Sequence, residues 1–426
     1  MILRWLIPLA LCLICHGDAA KILGLYPFPA RSHLIVQKAL VLELARRGHE
    51  VTILTPVLEK KPVANLTEIH VIADMQKVTE GQAPKNLFDM SNLRTFDMLM
   101  MMLMMGGPLC EAVLQEDNVQ KLIHSKNHHF DLVIIEAFTN DCMLGFAHKF
   151  NAPVIQVCPF GGSNFMGDWV GSPNPYAYVP DEMLNLRDRM TFSERVLNSA
   201  VGLFRHIGRQ VIHLPKQDEL MRKYFNDSDD YPYIGEIEKR TSLVLLNSHF
   251  SIAHPNIRLF ITHGGLLSTQ EALDRGVPVV GIPVFADQFL NSNRAVLAGY
   301  GIRLDYSNVT EESLLWAVKE VIDNPKYREN ALHISRIYKD QPLSPLETAV
   351  YWTEYVIRHK GAPHMRSASL DLAWYQYFLL DVIAVLALFA GILLLVPVLI
   401  LRFLFKKCFG AGTTSKSRES IKKKRN

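Results

Sequence analysis

The chain has 426 residues, 49% of them hydrophobic, so it can bury large cores and its length suggests two or three domains. Net charge is +3, but the stretch from Arg402 to the end carries nine Lys/Arg against one Glu, which leaves everything before it at −5. The basic character belongs to that tail, and a nucleic-acid partner is excluded on charge distribution.

In chain order, residues 1–20 carry Arg4, an apolar run from Trp5 to Cys15 and then small residues, the pattern of a secretory signal peptide cleaved near Ala20. "KILGLYPF" predicts a strand running into a Pro-rich turn, and "SHLIVQKALVLELARRGHEV" an amphipathic helix with Ser32 as N-cap and Gly48 as its stop. "VTILTP", "EIHVIAD", "FDLVIIEAF" and "APVIQVCPF" are further apolar runs with helical segments among them. Alternating β and α with nearly continuous apolar strands predicts an α/β fold, a parallel sheet covered on both faces, over residues 21–250. The methionine-rich run "MLMMMLMM", Met98 to Met105, suits an adaptable apolar site, or plain core packing.

The next stretch is anomalous. Leu243–Leu246 and Ile257–Thr262 both read as strands, yet only about ten residues separate them, without a helical pattern. A parallel crossover normally takes a dozen or more residues and usually a helix. Beyond this seam the alternation resumes through "RLFITH", "STQEALDRG", "VPVVGIPV", "QFLNSNRAVLAG", "YGIRLDY" and "TEESLLWAVKEVIDNP". It ends in a long helix, "SPLETAVYWTEYVIRHKG", with Pro345 in its first turn and Gly361 at its stop. Residues 251–370 therefore read as the second half of another α/β sheet, lacking its opening strands.

Val382 to Leu401 is twenty residues without a charge, roughly 30 Å of helix and one hydrocarbon core. Trp374, Tyr375 and Tyr377 precede it, and Arg402, Lys406 and Lys407 follow it. Aromatic belt and positive-inside charge predict a transmembrane helix over 378–404, a lumenal body and a cytosolic tail over 405–426, with membrane lipid as a partner. The final "KKRN" resembles a dilysine retrieval signal of the endoplasmic reticulum, which implies a single-pass type I protein of that membrane. N-x-S/T sequons start at Asn65, Asn226 and Asn308 on the lumenal side. Of six cysteines only Cys110, Cys142 and Cys158 lie in the body, so at most one bridge is possible and no zinc site is spelled out.

The richest chemistry lies between Phe260 and Gln288, "FITHGGLLSTQEALDRGVPVVGIPVFADQ". His263, Gly264 and Gly265 follow a strand, where ligands bind in open α/β sheets. Ser268 and Glu271 read as a capping box at a helix start, and such a start offers unpaired N–H groups to a phosphate. On spacing alone, a tight turn and a well-capped helix explain these residues equally.

With its Thr-His-Gly-Gly opening, Glu271, Pro278, Pro283 and the closing Asp287–Gln288, this stretch resembles the signature of the UDP-glycosyltransferases, closest to the insect branch. The resemblance implies a GT-B fold of two facing Rossmann-like domains, the second here incomplete. It implies transfer of a sugar from a UDP-sugar to a hydroxyl of a small lipophilic acceptor with inversion. UDP-glucose is the first expectation as co-substrate; no other cofactor and no metal is called for. By the same resemblance His263 contacts the diphosphate, with backbone at Gly264, Gly265 and Ser268 completing the cradle. Glu271 accepts from the ribose, and Asp287 and Gln288 hold the sugar. Leu267 stands where many members carry Asn. His33 occupies the place of the catalytic base, supported by a carboxylate that is either Glu136, in the position of the family's Asp, or Asp141 five residues on.

The resemblance also accounts for the seam. Family members insert a linker, a Gly-Ser turn and a Trp-x-Pro-Gln segment that stacks on uracil between "NSHFS" and "AHPN", whereas here the two abut. No Trp occurs between Trp169 and Trp316. A block is read as deleted. Two functions follow: a glycosyltransferase, or a catalytically impaired product that serves as a membrane-anchored acceptor-binding or partner subunit in a homo- or hetero-oligomer.

Overall fold

The computed structural model describes residues 19–72, 93–163, 165–172, 175–187, 189–226, 230–247 and 257–409. The expected signal peptide through residue 18, the seam at 248–256 and the tail from 410 lie outside the described residues.

Among the described residues, six strands make the first sheet: β1 (Lys21–Leu25), β2 (Glu50–Thr55), β3 (Leu66–His70), β4 (Leu132–Glu136), β5 (Val154–Cys158) and β6 (Thr241–Leu246). All pairs are parallel, in the order β3-β2-β1-β4-β5-β6. Every residue of β4 and β5 is buried, the physical reason their sequences read as unbroken apolar runs. Helix α1 (Arg31–Arg46) covers one face, where Leu34, Val41 and Leu44 share a core with Ile22, Ile53, Ile134 and Ile155. The other face packs on α2 (Thr95–Leu114), which supplies Leu109 and Val113. Further along the chain, α3 (Phe192–Gly208) runs through a π-turn at Arg209–His213 into α4 (Leu214–Tyr224), whose Leu220 and Met221 join the same core. A disulfide between Cys110 and Cys142 ties α2 to the segment after β4, and Cys158 remains free and buried.

The second sheet has three parallel strands among the described residues: β7 (Phe260–Thr262), β8 (Val279–Gly281) and β9 (Gly301–Arg303), in that order. Around it lie α5 (Leu266–Asp274), α6 (Gln288–Leu297), α7 (Glu311–Asp323) and α8 (Pro325–Lys339). β7 is an edge strand, and its Ile261 is 48% exposed. Two parallel α/β sheets, one of them short, give the expected GT-B type architecture.

The final helix of the body, α9 (Pro345–Arg358), follows the second sheet in sequence but not in packing. Its Val350 and Val356 are buried in the layer between α1 and the first sheet. The segment 251–370 is thus shared between the two bodies. Beyond it, α10 (Leu380–Phe409) forms a separate unit, and its stretch Leu380–Leu404 is long and apolar enough to cross a membrane. Helix α2 passes the same length-and-composition test but contributes to the core of the first body.

Two helix starts differ from the sequence reading. The N-cap of α1 is Ala30, without a side-chain cap, so Ser32 lies inside the first turn. Helix α5 begins at Leu266 with Gly265 as N-cap, so Ser268 and Glu271 form no capping box. The Ser268 hydroxyl is instead paired with Thr262 Oγ1 at 2.6 Å and with the Gly265 carbonyl at 3.0 Å. Helix α8 is an addition, signalled by Asn324, which caps it by accepting from the Lys326 N–H, and by Pro325 in its first turn.

Candidate active site

The carboxyl ends of both sheets border one cleft. From the first sheet come His33, Phe138 and Phe160, with Met102 and Glu182; from the second come His263, Gly265, Ser268, Glu271, Asp287 and Gln288. Counting its open mouth, the space measures about 1100 Å³. Across the junction, Gln270 Nε2 donates to the Asn247 carbonyl at 3.1 Å, and Asn293 Nδ2 to Asn185 Oδ1 at 2.6 Å.

His33 sits in the first turn of α1, where the loop from β1 delivers it to the sheet end. Its Nδ1 lies 2.7 Å from Glu136 Oε1, and Glu136, the last residue of β4, has a fully buried side chain. A carboxylate on Nδ1 holds the proton there and leaves the Nε2 lone pair free. Phe28, Phe138 and Phe160 surround the ring at centroid distances of 4.9, 4.9 and 5.8 Å. Sequence reasoning missed this aromatic collar, although each of the three follows directly on a strand end, in "YPF", "EAF" and "CPF".

Asp141 goes elsewhere. Past β4 the chain turns through Thr139 at φ 54°, and Asp141 opens a short 3-10 turn facing the π-turn. Its carboxylate accepts from Arg209 Nη2 at 2.6 Å and contacts His213 Nε2 at 2.5 Å, while Arg209 also pairs with Glu238. Burial opposes its ionisation, but Arg209 and His213 outweigh burial and hold Asp141 well below the usual carboxylate range. Burial pushes Glu238 up to about 8. Of the two carboxylates that the sequence offered for His33, the structure brings only Glu136 to it.

A second cavity adjoins the cleft on the first-sheet side. Leu99, Met102 and Leu103 of the methionine-rich run form one wall, Phe165, Met166 and Trp169 another, and Arg209 and His213 reach it from the π-turn. Met102, Phe138, Phe160, Glu182 and Met183 border both spaces. Helix α3 turns its polar side inward here: Asn198 is fully buried, while Val196, Leu203 and Ile207 are half exposed.

On the second sheet, Gly264 adopts φ 81°, and a Cβ there would lie 2.2 Å from Ser292 Oγ and 2.8 Å from the Gln288 carbonyl. Only glycine lets β7 turn this closely into α5. The first turn of α5 lines the cleft beside His263, and a helix N-terminus offers its unpaired N–H groups to an anion. Burial lowers the His263 pKa, which favours its neutral ring. Gln288 Oε1 accepts from the Val284 and Phe285 N–H groups, fixing the start of α6. Asp287 accepts from Asn291 Nδ2 at 2.9 Å, and burial raises the pKa of both Asp287 and Glu271.

Comparison with known proteins gives these two facing half-sites a common source. The profile of the family described as "UDP-glucoronosyl and UDP-glucosyl transferase" matches residues 21–250 and 238–415. UDP-glycosyltransferase UGT5 of Dactylopius coccus is 30% identical over 519 aligned residues, covering 94% of this chain and 96% of the relative. Human UDP-glucuronosyltransferase 2A3 is 28% identical, covering 89% of this chain and 90% of its own. Among solved structures, the calicheamicin glycosyltransferase CalG4 aligns with 80% of this chain at 15% identity and a TM-score of 0.46. With a family match over most of its length and a relative aligned almost end to end, this chain belongs to the UDP-glucuronosyl and UDP-glucosyl transferases.

Proposed function

We propose that the cleft binds a UDP-sugar against the second sheet and a small lipophilic hydroxyl acceptor against the first, with His33 as general base. The observation that carries this is the His33–Glu136 contact at 2.7 Å, set across the cleft from the His263 loop and Asp287. His33 Nε2 takes the acceptor proton while Glu136 steadies the imidazolium that forms. The freed oxygen attacks the anomeric carbon from the face opposite UDP, so configuration inverts. His263 and the N-terminus of α5 stabilise the departing diphosphate, Glu271 accepts from the ribose, and Asp287 and Gln288 hold the sugar. The cavity walled by Leu99, Met102 and Trp169 receives the acceptor body, and UDP-glucose is the donor to test first.

The chain as it stands transfers little or no sugar, because a block of the donor domain is missing. Three observations support that reading. The second sheet has three strands among the described residues, with β7 open at its edge. The family match comes as two stretches, 21–250 and 238–415, which overlap next to the seam. Finally, 94% of 426 residues is about 400, so about 119 of the 519 positions aligned with the Dactylopius relative have no counterpart here. The open sheet favours a second role for this form, an anchored acceptor-binding or partner subunit. Labelling of the chain by a UDP-sugar photoprobe would favour the enzyme; acceptor binding without labelling would favour the subunit. In a form with a family-length segment inserted after Ile252, His33→Ala should cut turnover by roughly 10²–10⁴-fold with UDP affinity nearly unchanged. Near-normal turnover would rule His33 out.

Its place is the endoplasmic reticulum membrane, single-pass with a lumenal body, after removal of the signal peptide and with glycan on the sequons. The apolar helix Leu380–Leu404 and the basic residues after it support this. Protease added to intact microsomes should remove only the tail, and digestion of the body would reverse the orientation.

A further inference from the structure

Behind His33 lies a polar group of residues that nothing above uses. The layer between α1 and the first sheet is otherwise aliphatic, built from residues such as Leu34, Val41, Ile134 and Ile155. Yet Tyr26 and Gln37 are both 0% exposed in it. Four side-chain atoms there are buried without a hydrogen-bond partner: Tyr26 Oη, Gln37 Nε2, Gln37 Oε1 and Glu136 Oε2.

Their placement follows from register. β1 pairs with β4 as Gly24↔Ile134 and Leu25↔Ile135, so the next position sets Tyr26 beside Glu136 on neighbouring parallel strands. Alternation puts both on the face of Ile22 and Ile134, which is the α1 face. The Tyr26 ring lies back over Gly24, where an added Cβ would stand 2.9 Å from its Cε2. Gln37 follows His33 by four residues on α1, one turn along the same side of the helix. The buried phenol feels the Glu136 charge, which, after burial itself, raises its pKa.

The chemistry of these orphans is complementary. Tyr26 brings one O–H donor, the Gln37 amide one acceptor oxygen and two donors, and Glu136 Oε2 an acceptor. Neither bond is made in this structure, but two would satisfy all four atoms: Tyr26 O–H to Gln37 Oε1, and Gln37 N–H to Glu136 Oε2. We infer that Tyr26 and Gln37 are positioning residues for the catalytic pair, forming a line Tyr26–Gln37–Glu136–His33 that fixes the second oxygen of the Glu136 carboxylate. This rests on the reading of His33 as base and deepens it. Fixing both oxygens holds the longer Glu side chain in one rotamer, the role a shorter Asp would fill with less support. The titratable groups that line the cleft with His33 are Glu182, His263, Glu271 and Asp287, and Asp287 feels both Glu182 and His33.

The test uses the full chain in microsomes and does not depend on turnover. Diethyl pyrocarbonate modifies neutral imidazole, and peptide mass spectrometry reads His33 separately from the other histidines. Tyr26→Phe and Gln37→Met are close in shape and fit the aliphatic layer. With Oε2 stripped of its donor, the carboxylate is free to turn away from Nδ1, and the Nε2 lone pair that it sharpens becomes less nucleophilic. His33 should then react roughly 3- to 10-fold more slowly at neutral pH in Gln37→Met, and less markedly so in Tyr26→Phe. His33 rates that are unchanged or faster in both variants, with the Cys110–Cys142 bridge intact as a sign of folding, would overturn the assignment. A merely structural role predicts that outcome, with thermal stability level or raised. If His33 is not the base, its reactivity still shifts here while His33→Ala leaves turnover intact, so the two failures are distinct.

Discussion

Replacing Glu136 by Gln removes one negative charge and almost no volume from the base of the cleft. In the native pair the carboxylate oxygen stands 2.7 Å from His33 Nδ1 with its side chain fully buried, so little solvent screens the contact. A hydrogen bond to a charged group contributes about 1.5–3 kcal/mol, against about 0.5–1.5 kcal/mol for a neutral one. The difference, about 1–2 kcal/mol, is lost as the imidazolium develops, which lowers kcat by roughly 5- to 30-fold. Because Glu136 lies behind His33 rather than in the cleft, KM for donor and acceptor should stay within about twofold. The assay is UDP-sugar turnover, under saturation by each substrate in turn, by the form carrying the segment after Ile252. A Glu136→Gln enzyme with native kcat, or an equal loss of kcat in Asp141→Asn without loss of stability, would refute the assignment of roles to the two carboxylates.

Asp141→Asn should instead cost about 3–5 kcal/mol of stability, because it leaves the buried Arg209 and His213 short of their shared partner; thermal unfolding measures this. Gly264→Ala should abolish UDP-sugar labelling in that same form, since the new Cβ meets Ser292 and the Gln288 carbonyl in a backbone region that L-residues avoid; retained labelling would show that the loop can shift. With Asp287 in the proposed sugar-holding role, donor affinity should fall on acidification at a higher pH than an ordinary aspartate would give, because burial raises the Asp287 pKa and protonation turns one acceptor oxygen into a donor. The Asp287→Asn variant should lack that part of the pH profile.

How legible all this is in the sequence depends on the range of the forces involved. The strands of the first sheet are visible because burial on both faces leaves only apolar residues, as in β4 and β5. Both halves of the cleft are visible because glycines, a histidine and a helix start crowd together at strand ends. The choice between Glu136 and Asp141 is not visible: five residues of spacing cannot reveal that a left-handed turn at Thr139 sends Asp141 to the other side of the sheet. Helix α3 is misleading, since its apolar stripe of Val196, Leu203 and Ile207 faces outward and its Asn198 faces inward. Only the tertiary partners of Arg205 and Arg209 bring these guanidinium groups to the cavity beside Met102 and Trp169. The destination of α9 is equally hidden, because its amphipathic pattern announces a buried face and not which sheet buries it.

That destination has a topological consequence. The backbone crosses between the two sheets once at the seam, between Asn247 and Ile257, and once more on its way into α9. The smaller sheet with its four helices is therefore a loop tethered at both ends, like a bucket on a two-point handle. A single nick in the seam leaves the halves joined through α9, and both tethers must be cut to free the smaller half.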